Sequence, residues 1–175
     1  MGEFELIERY FKRAARHADV GIGDDCAIWS PSPGHQLAIS ADMLVEGRHF
    51  LSTVNPRDLG HKALAVNLSD LAACGALPRA FLLSLSLPRV DEDWLSSFSE
   101  GLFALADAQG CELIGGDTTQ GPLNIAITAS GEVDTIDTAG VTGPHASSVV
   151  VHRSANTART SAPSSTRRCA PSRET

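Results

Sequence analysis

The sequence lacks several features by which whole classes of protein are recognised. Aromatic residues make up only 5% of its 175 residues, and no stretch approaches the roughly 20 uninterrupted apolar residues that a membrane span requires. The N-terminal segment has no basic start followed by an apolar run, which argues against a signal peptide. We therefore expect a cytoplasmic protein with no membrane partner.

Cysteine is scarce and scattered. The four cysteines are Cys26, Cys74, Cys111 and Cys169, and no two of them form the C-x-x-C pair of a zinc or redox site. This pattern predicts reduced thiols, most of them buried.

The familiar phosphate-binding motifs are also absent. The sequence contains no G-x-x-x-x-G-K-[ST], and the glycines at 21 and 23 lack the third glycine and following helix of a dinucleotide fingerprint. A net charge of −7 argues against a nucleic-acid partner, because phosphate neutralisation requires a basic face. An acidic protein that handles phosphates needs cations to mediate the contact.

Hydrophobic periodicity predicts three helices alternating with short strands. Helical spacing runs from Glu3 to about His17, from the Asn55-Pro56 cap to near Gly75, and from 91 to 110. Strand patterns cover 37–43, 79–87, 111–117 and 123–128. The fold class is therefore α/β (α+β), with a mixed sheet packed against two or three helices, and the length suits one domain.

The composition changes after Val133. Residues 134–175 are rich in Ser, Thr, Arg, Ala and Pro and contain no aromatic residue, so we expect them to form a disordered tail on a domain of residues 1–133. The alternative is a polar domain edge with a single strand at 148–152. The tail's composition is what an out-of-frame reading of a GC-rich gene would produce, which indicates a frameshift or truncation.

Acidic residues stand beside glycines or at the ends of the predicted elements, at Asp24-Asp25, Asp42, Asp70 and Asp117. Carboxylate oxygens are the ligands that Mg²⁺ prefers, and one ion commonly takes only one or two of them beside phosphate and water. If these side chains converge, their mutual repulsion requires cations or protonation. The alternative is that each aspartate is an ordinary turn or cap residue.

Five segments together resemble successive motifs of thiamine-monophosphate kinases. They come in that family's order and spacing, and they read GEFELI (2–7), GIGDDCA (21–27), SADMLVEGRHF (40–50), KALAVNLSDLAA (62–73) and LIGGDTTQGP (113–122). The resemblance implies the N-terminal domain of the aminoimidazole ribonucleotide synthetase-like fold. Selenophosphate synthetase and the hydrogenase maturation factor of this fold are the nearest alternatives.

The resemblance also implies a site. The positions that match the family's magnesium ligands are Asp25, Ser40, Ala41, Asp42, Asp70 and Asp117, where Ala41 replaces the family's usual threonine. Gly116 and Asp117 match the nucleotide-contacting loop, His49 matches a contact to thiamine phosphate, and Asp24 supports the ligands. By its residues alone, a lone histidine such as His49 is more often a packed or surface residue.

The implied activity is Mg²⁺-dependent transfer of the ATP γ-phosphate to thiamine phosphate by a homodimer. Several Mg²⁺ ions and no protein nucleophile are implied. After Val133 the family continues into a second domain that this chain does not match, so we expect impaired turnover. The alternatives are a non-catalytic module that binds Mg-nucleotide or dimerises, and another ATP-dependent enzyme of the same fold.

Overall fold

The computed structural model describes residues 2–14, 16 and 18–135. Its helices are α1 (Glu3–Leu6), α2 (Pro56–Ala73) and α3 (Glu92–Gln109), and a π-helical turn (Ile7–Phe11) directly follows α1. Its strands are β1 (His35–Val45), β2 (Leu77–Leu87), β3 (Glu112–Gln120) and β4 (Asn124–Asp134).

The first helix is much shorter than its hydrophobic spacing predicts. Helical structure ends at Phe11, where Lys12 is already extended with φ −71° and ψ 120°. The following backbone N–H groups of Arg16 and Ala18 donate to the side chain of Glu112 instead of to a preceding turn. The predicted end near His17 is therefore wrong, because tertiary hydrogen bonds replace the helical ones.

Helix α2 begins and ends where its sequence signals indicate. The side chain of Asn55 accepts a hydrogen bond from the N–H of Arg57, and Pro56 occupies the first turn, where its missing N–H costs nothing. Asp58 lies in the same turn, where the helix dipole favours an acid. The chain leaves the helix through Gly75, at φ +72°.

Helix α3 crosses α2 at very short range. Its N-cap Asp91 accepts from the N–H of Trp94, and Gly110 ends it in the left-handed conformation. A Cβ on Gly101 would overlap the backbone carbonyl of Arg57, so only glycine allows the two backbones to approach this closely.

The four strands form one mixed sheet in the order β1-β4-β2-β3. The β1–β4 and β2–β4 pairs are antiparallel and the β2–β3 pair is parallel. All four strands are longer than the sequence patterns predict. One consequence is that Asp117 lies within β3 and not beyond the end of the strand.

The sheet has one covered face and one open face. Residues on the covered face pack with α2, and they include Phe81, Leu83, Ile127 and Ala129, all at most 4% exposed. Helix α2 lies on β1, β4 and β2, and α3 packs outside it. The predicted fold class, a mixed sheet packed against two or three helices, is therefore confirmed.

The open face carries apolar side chains toward solvent. On β1, Leu37, Ile39 and Met43 are 46%, 61% and 56% exposed, and Leu82 on β2 is 37% exposed. Alternation along β1 puts these three residues on the face opposite buried Leu44.

The cysteines do not match the prediction of mostly buried thiols. Cys26 and Cys74 are exposed, whereas Cys111 is buried. Burial, with a further contribution from the charge of Glu112, raises the pKa of the Cys111 thiol to about 12. Cys111 is therefore a core residue without thiolate chemistry.

The disordered tail, its alternative of a single strand at 148–152, and the burial of Cys169 are expectations for residues 136–175. These residues lie outside the described part of the chain. The boundary predicted at 133 stays a prediction. Within residues 2–14, 16 and 18–135, no helix has the length and apolar character that crossing a membrane requires.

Candidate active site

Ser40 and Asp70 are brought into direct contact by the packing of α2 on β1. The Ser40 hydroxyl donates to Asp70 Oδ2 over 2.9 Å, although the residues are 30 positions apart in the chain. Ser40 and buried Leu44 are four residues apart in β1 and therefore lie on the same, covered face of the sheet. The side chain of Ser40 is thus directed toward α2. The contact joins two of the predicted metal ligands.

The carboxylate of Asp70 lies in an electrostatically unfavourable position. Asp70 lies in the last turn of α2, and that turn carries no basic residue. The C-terminal end of a helix carries a partial negative charge, so a carboxylate there is unfavourable unless a cation is nearby. The hard oxygen donors of Ser40 and Asp70 suit Mg²⁺, which completes its shell with phosphate and water.

Asp42 lies on the same face of β1, two residues beyond Ser40, and it is half-buried. Ala41 between them is exposed on the open face. Its methyl group has no donor atom, so only its backbone carbonyl has the chemistry of a ligand. Ser40, Asp42 and Asp70 therefore form a first group of candidate ligands, here called the β1 group.

Gly116 and Asp117 lie at the other edge of the sheet. Gly116 pairs with buried Leu83, and its φ of +143° together with the Leu83 carbonyl leaves no room for a Cβ. Asp117 pairs with Ser84, and both are exposed. This alternation puts Asp117 on the open face.

Asp25 belongs to a loop that packs against β3, the strand that carries Asp117. The loop is closed by backbone hydrogen bonds between Val20 and Ile28, of 3.2 and 3.0 Å. The methyl group of Ala27 lies 4.0 Å from the position of a Cβ on Gly115 in β3, so the loop packs against this strand. Asp25 and Asp24 are exposed, and the Asp25 N–H donates to Asp24 Oδ1 over 2.8 Å. We call Asp25, Gly116 and Asp117 the β3 group.

The two groups do not merge into one cluster of carboxylates. Asp42 and Asp117 lie on the outer strands of the sheet, three strand spacings or roughly 14 Å apart. Among the described residues, no three His, Cys, Asp or Glu side chains could hold one ion together. The convergence expected from the sequence is therefore not found in this part of the chain, and the assignment of each ligand stays a prediction.

His49 is fixed by contacts at both its ring and its backbone. Its Nδ1 accepts from the N–H of Val45 over 3.0 Å, and its carbonyl accepts from Lys62 Nζ over 2.7 Å. With Nδ1 as the acceptor, the neutral ring carries its proton on Nε2, which is available as a donor to a ligand. The ammonium of Lys62 adds a positive charge beside this exposed loop.

Sequence reasoning missed Lys62 and two buried acids, Glu112 and Glu132. The acids are 9% and 5% exposed and accept hydrogen bonds from segments more than 90 positions away. An acid inside a predicted buried strand is the signal that could have found Glu112, since glutamate is rarely buried without partners. Glu132 lies beyond the predicted strand 123–128, so no such signal pointed to it.

A match to a family model gives the class of this protein. The chain belongs to the family described as AIR synthase related protein, N-terminal domain, whose model matches residues 23–133.

Within that class its relatives are thiamine-monophosphate kinases. The chain is 52% identical over 137 residues to the thiamine-monophosphate kinase of Haemophilus influenzae, covering 77% of this chain and 42% of that protein. The crystal structure of thiamine-monophosphate kinase from Stenotrophomonas maltophilia matches with a TM-score of 0.64 and 47% identity, over 75% of this chain and 41% of that one.

A structure of AaThiL complexed with AMPPCP and TMP matches with a TM-score of 0.57 and 32% identity, over 60% of this chain and 35% of that one. The chain thus spans about two-fifths of the length of the curated relatives that it matches.

Proposed function

We propose that this chain is the N-terminal part of a thiamine-phosphate kinase, which transfers the γ-phosphate of ATP to thiamine phosphate. The observation that carries the proposal is the 52% identity to a thiamine-monophosphate kinase over 137 residues, which is 77% of this chain. The complex of a 32% identical relative with AMPPCP, an ATP analogue, and TMP supports the same two substrates.

The reaction joins two anions in line. An oxygen of the thiamine phosphate attacks the γ-phosphorus of ATP, the bond from that phosphorus to the β–γ bridging oxygen breaks, and ADP leaves. When bound, Mg²⁺ would offset the repulsion between the substrates and stabilise the charge on the transferred group. No protein nucleophile is needed, so the catalytic work of this chain is binding and orientation.

Each group of residues has a role in this proposal. Asp42 and Asp70 hold cations through their carboxylates, and the Ser40 hydroxyl orients Asp70. Asp25 and Asp117 hold cations at β3, and the absence of a side chain at Gly116 lets a nucleotide phosphate approach the backbone. His49 donates from Nε2 to the thiamine phosphate, with Lys62 beside it.

Metal binding at the β1 group is tested by replacing Asp70 with asparagine. We expect Mg²⁺, alone and with AMPPCP, to shift the backbone amide resonances of 40–42 and 70 in the NMR spectrum of the parent. Asp70→Asn should weaken this response at least ~10-fold, or about 1.4 kcal/mol, because it removes the ligand charge while nearly preserving shape. The matched control is Asp93→Asn, which removes an exposed carboxylate in the first turn of α3. Equal titrations of both variants would contradict the proposal.

We further propose that two copies of the chain pair through the open face of the sheet. The exposed side chains of Leu37, Ile39, Met43 and Leu82 support this, since such an apolar sheet face is normally covered.

Charge on the open face should prevent the pairing. Ile39→Glu is expected to shift the sedimentation equilibrium from dimer to monomer, because a carboxylate would be buried in an apolar interface. Ala104→Glu, on the exposed side of α3, should leave the parent's dimer intact. A parent that sediments as a monomer at every concentration would refute the pairing.

We propose as a second function that of a module that binds Mg-nucleotide or dimerises without catalysis. It is favoured by the exposed apolar side chains on the open face of the sheet, such as Ile39 and Met43. A thiamine diphosphate assay separates the two functions, and a panel of phosphate acceptors separates both from another enzyme of this fold.

A further inference from the structure

Asp24 and Asp25 lie at the tip of the loop. Both aspartates are exposed, and the hydrogen bond between them is internal to the loop. Two buried glutamates contact the segments at the two ends of this loop.

Glu112 holds the segment that enters the loop. Its Oε2 accepts from the N–H of Arg16 over 2.6 Å, and its Oε1 accepts from the N–H of Ala18 over 2.9 Å. Glu112 begins β3, the strand that also carries Asp117 five residues later. The entry of the Asp25 loop is thus tied to the strand that bears its candidate partner.

Glu132 holds the segment that leaves the loop. Its Oε1 accepts from the N–H of Ser32 over 2.7 Å and from the Ser32 hydroxyl over 3.0 Å. Its Oε2 faces Arg79 of β2, which donates from Nε and Nη2, each over 2.9 Å. One carboxylate therefore joins the loop, β4 and β2.

These hydrogen bonds are strong enough to position a segment. Burial would raise the pKa of Glu132, but the hydrogen bonds from Ser32 and Arg79 and the charge of Arg79 outweigh it and lower the pKa. The group is thus ionised at neutral pH, and bonds to an ionised acceptor are roughly twice as strong as neutral ones.

We propose that Glu112 and Glu132 are positioning residues that hold the two ends of the 18–32 segment on the sheet and thereby keep the loop of Asp25 on β3, the strand that carries Asp117. The role in metal binding rests on the proposed function. The anchoring of the loop does not, because it can be measured in the chain without metal. The backbone hydrogen bonds between Val20 and Ile28 connect the two anchored ends at the base of the loop. Ala27 packs against β3 at Gly115.

The test uses the isosteric variants Glu112→Gln and Glu132→Gln in the full 175-residue chain. A glutamine keeps the shape but loses the charge and turns one of its two acceptors into a donor. Ser32→Ala is a milder second variant, since it removes only the hydroxyl bond to Glu132. Glu100→Gln is the matched control, because Glu100 is an exposed acid whose ion pair with Arg57 lies on the surface.

Hydrogen exchange of the backbone amides is the first readout. Both glutamine variants should speed the exchange of the hydrogen-bonded amides of Asp19, Val20 and Ile28 at least tenfold, while the amides of α3 and β2 keep the parent's rates. Ser32→Ala should show a smaller change in the same direction, and Glu100→Gln none. An unchanged loop, or an equal rise at every amide, would overturn the proposal.

A nitroxide on Cys26 provides a second readout that global stability does not move. Cys26 is exposed and next to Asp25, and a background of Cys74→Ala and Cys169→Ala leaves it the only exposed thiol among the described cysteines and the tail. The anchor variants should narrow its electron paramagnetic resonance spectrum, and the control should not. An immobile label in all variants would count against anchoring.

Titration with Mg²⁺ alone connects the anchors to the site. The glutamine variants should weaken Mg²⁺ binding at the Asp25 and Asp117 amides at least fivefold, with the response at 40–42 unchanged. If the parent gives no Mg²⁺ response, the metal function fails, while the exchange and spin-label results still decide the anchoring. If the variants loosen the loop without changing Mg²⁺ affinity, the positioning role is refuted.

Discussion

Residues 1–175 by themselves are expected to form no measurable thiamine diphosphate from thiamine phosphate, ATP and Mg²⁺. Phosphoryl transfer depends on holding both anions in line, and positioning alone supplies roughly 7–11 kcal/mol of barrier reduction. The β1 group and the β3 group lie at opposite edges of the sheet, so we do not expect this part of the chain to hold both substrates in line by itself. We expect turnover at least ~10⁵-fold below that of a complete relative, which corresponds to about 7 kcal/mol.

The turnover of the 175-residue chain must be compared with that of a full-length kinase. The Haemophilus influenzae relative, of which this chain covers 42%, is the positive control under the same conditions. A chimera that joins residues 1–133 to the remainder of that relative should recover turnover if the candidate site residues are competent. Comparable rates for the 175-residue chain and the complete relative would show that the additional length is not required for catalysis.

Gly101→Ala is expected to destabilise the fold by about 2 kcal/mol. Replacing glycine by alanine in a helix normally gains about 1 kcal/mol through propensity, so the sign depends on packing. The new methyl group would overlap the backbone carbonyl of Arg57, which cannot rotate away as a side chain can. Overpacking of this kind costs roughly 1–3 kcal/mol and sometimes more, and here it must also push α2 away from α3.

Urea unfolding of Gly101→Ala beside Ala104→Gly checks this result. Ala104 is exposed on the same helix, and its replacement by glycine should lose about 1 kcal/mol through propensity alone. If the close contact between the helices decides the effect at Gly101, both Gly101→Ala and Ala104→Gly should destabilise the protein. A Gly101→Ala variant more stable than the parent would show that the helices separate without cost.

The helices illustrate what local signals predict well. The Asn55 cap, Pro56 and Asp58 predict the start of α2, and Asp91 with Gly110 brackets α3, because caps and terminal glycines act within one turn. The first helix is the counterexample. Its apolar spacing continues past Phe11, but Glu112, about 100 residues later, takes the N–H groups of Arg16 and Ala18.

The candidate site was also predictable from the sequence only in part. The types of residue at 25, 40, 42, 70 and 117 indicate hard-cation chemistry, and the resemblance names each one. The contact between Ser40 and Asp70 and the separation of Asp42 from Asp117 depend on the strand order, which no local pattern contains. Asp117 could not be assigned to the open face either, because β3 continues beyond it.

The amino-acid sequence by itself determined the family, the mixed α/β class, the boundaries of the two long helices and the oxygen-donor chemistry of the site. These are set by side-chain type and by spacing within one or two turns or along one strand. The tertiary structure alone decided which ligands meet, which face of the sheet stays open, and which buried acids hold the Asp25 loop. Those properties arise from hydrogen bonds and packing between residues 30 to 100 positions apart, whose pairing depends on the whole fold.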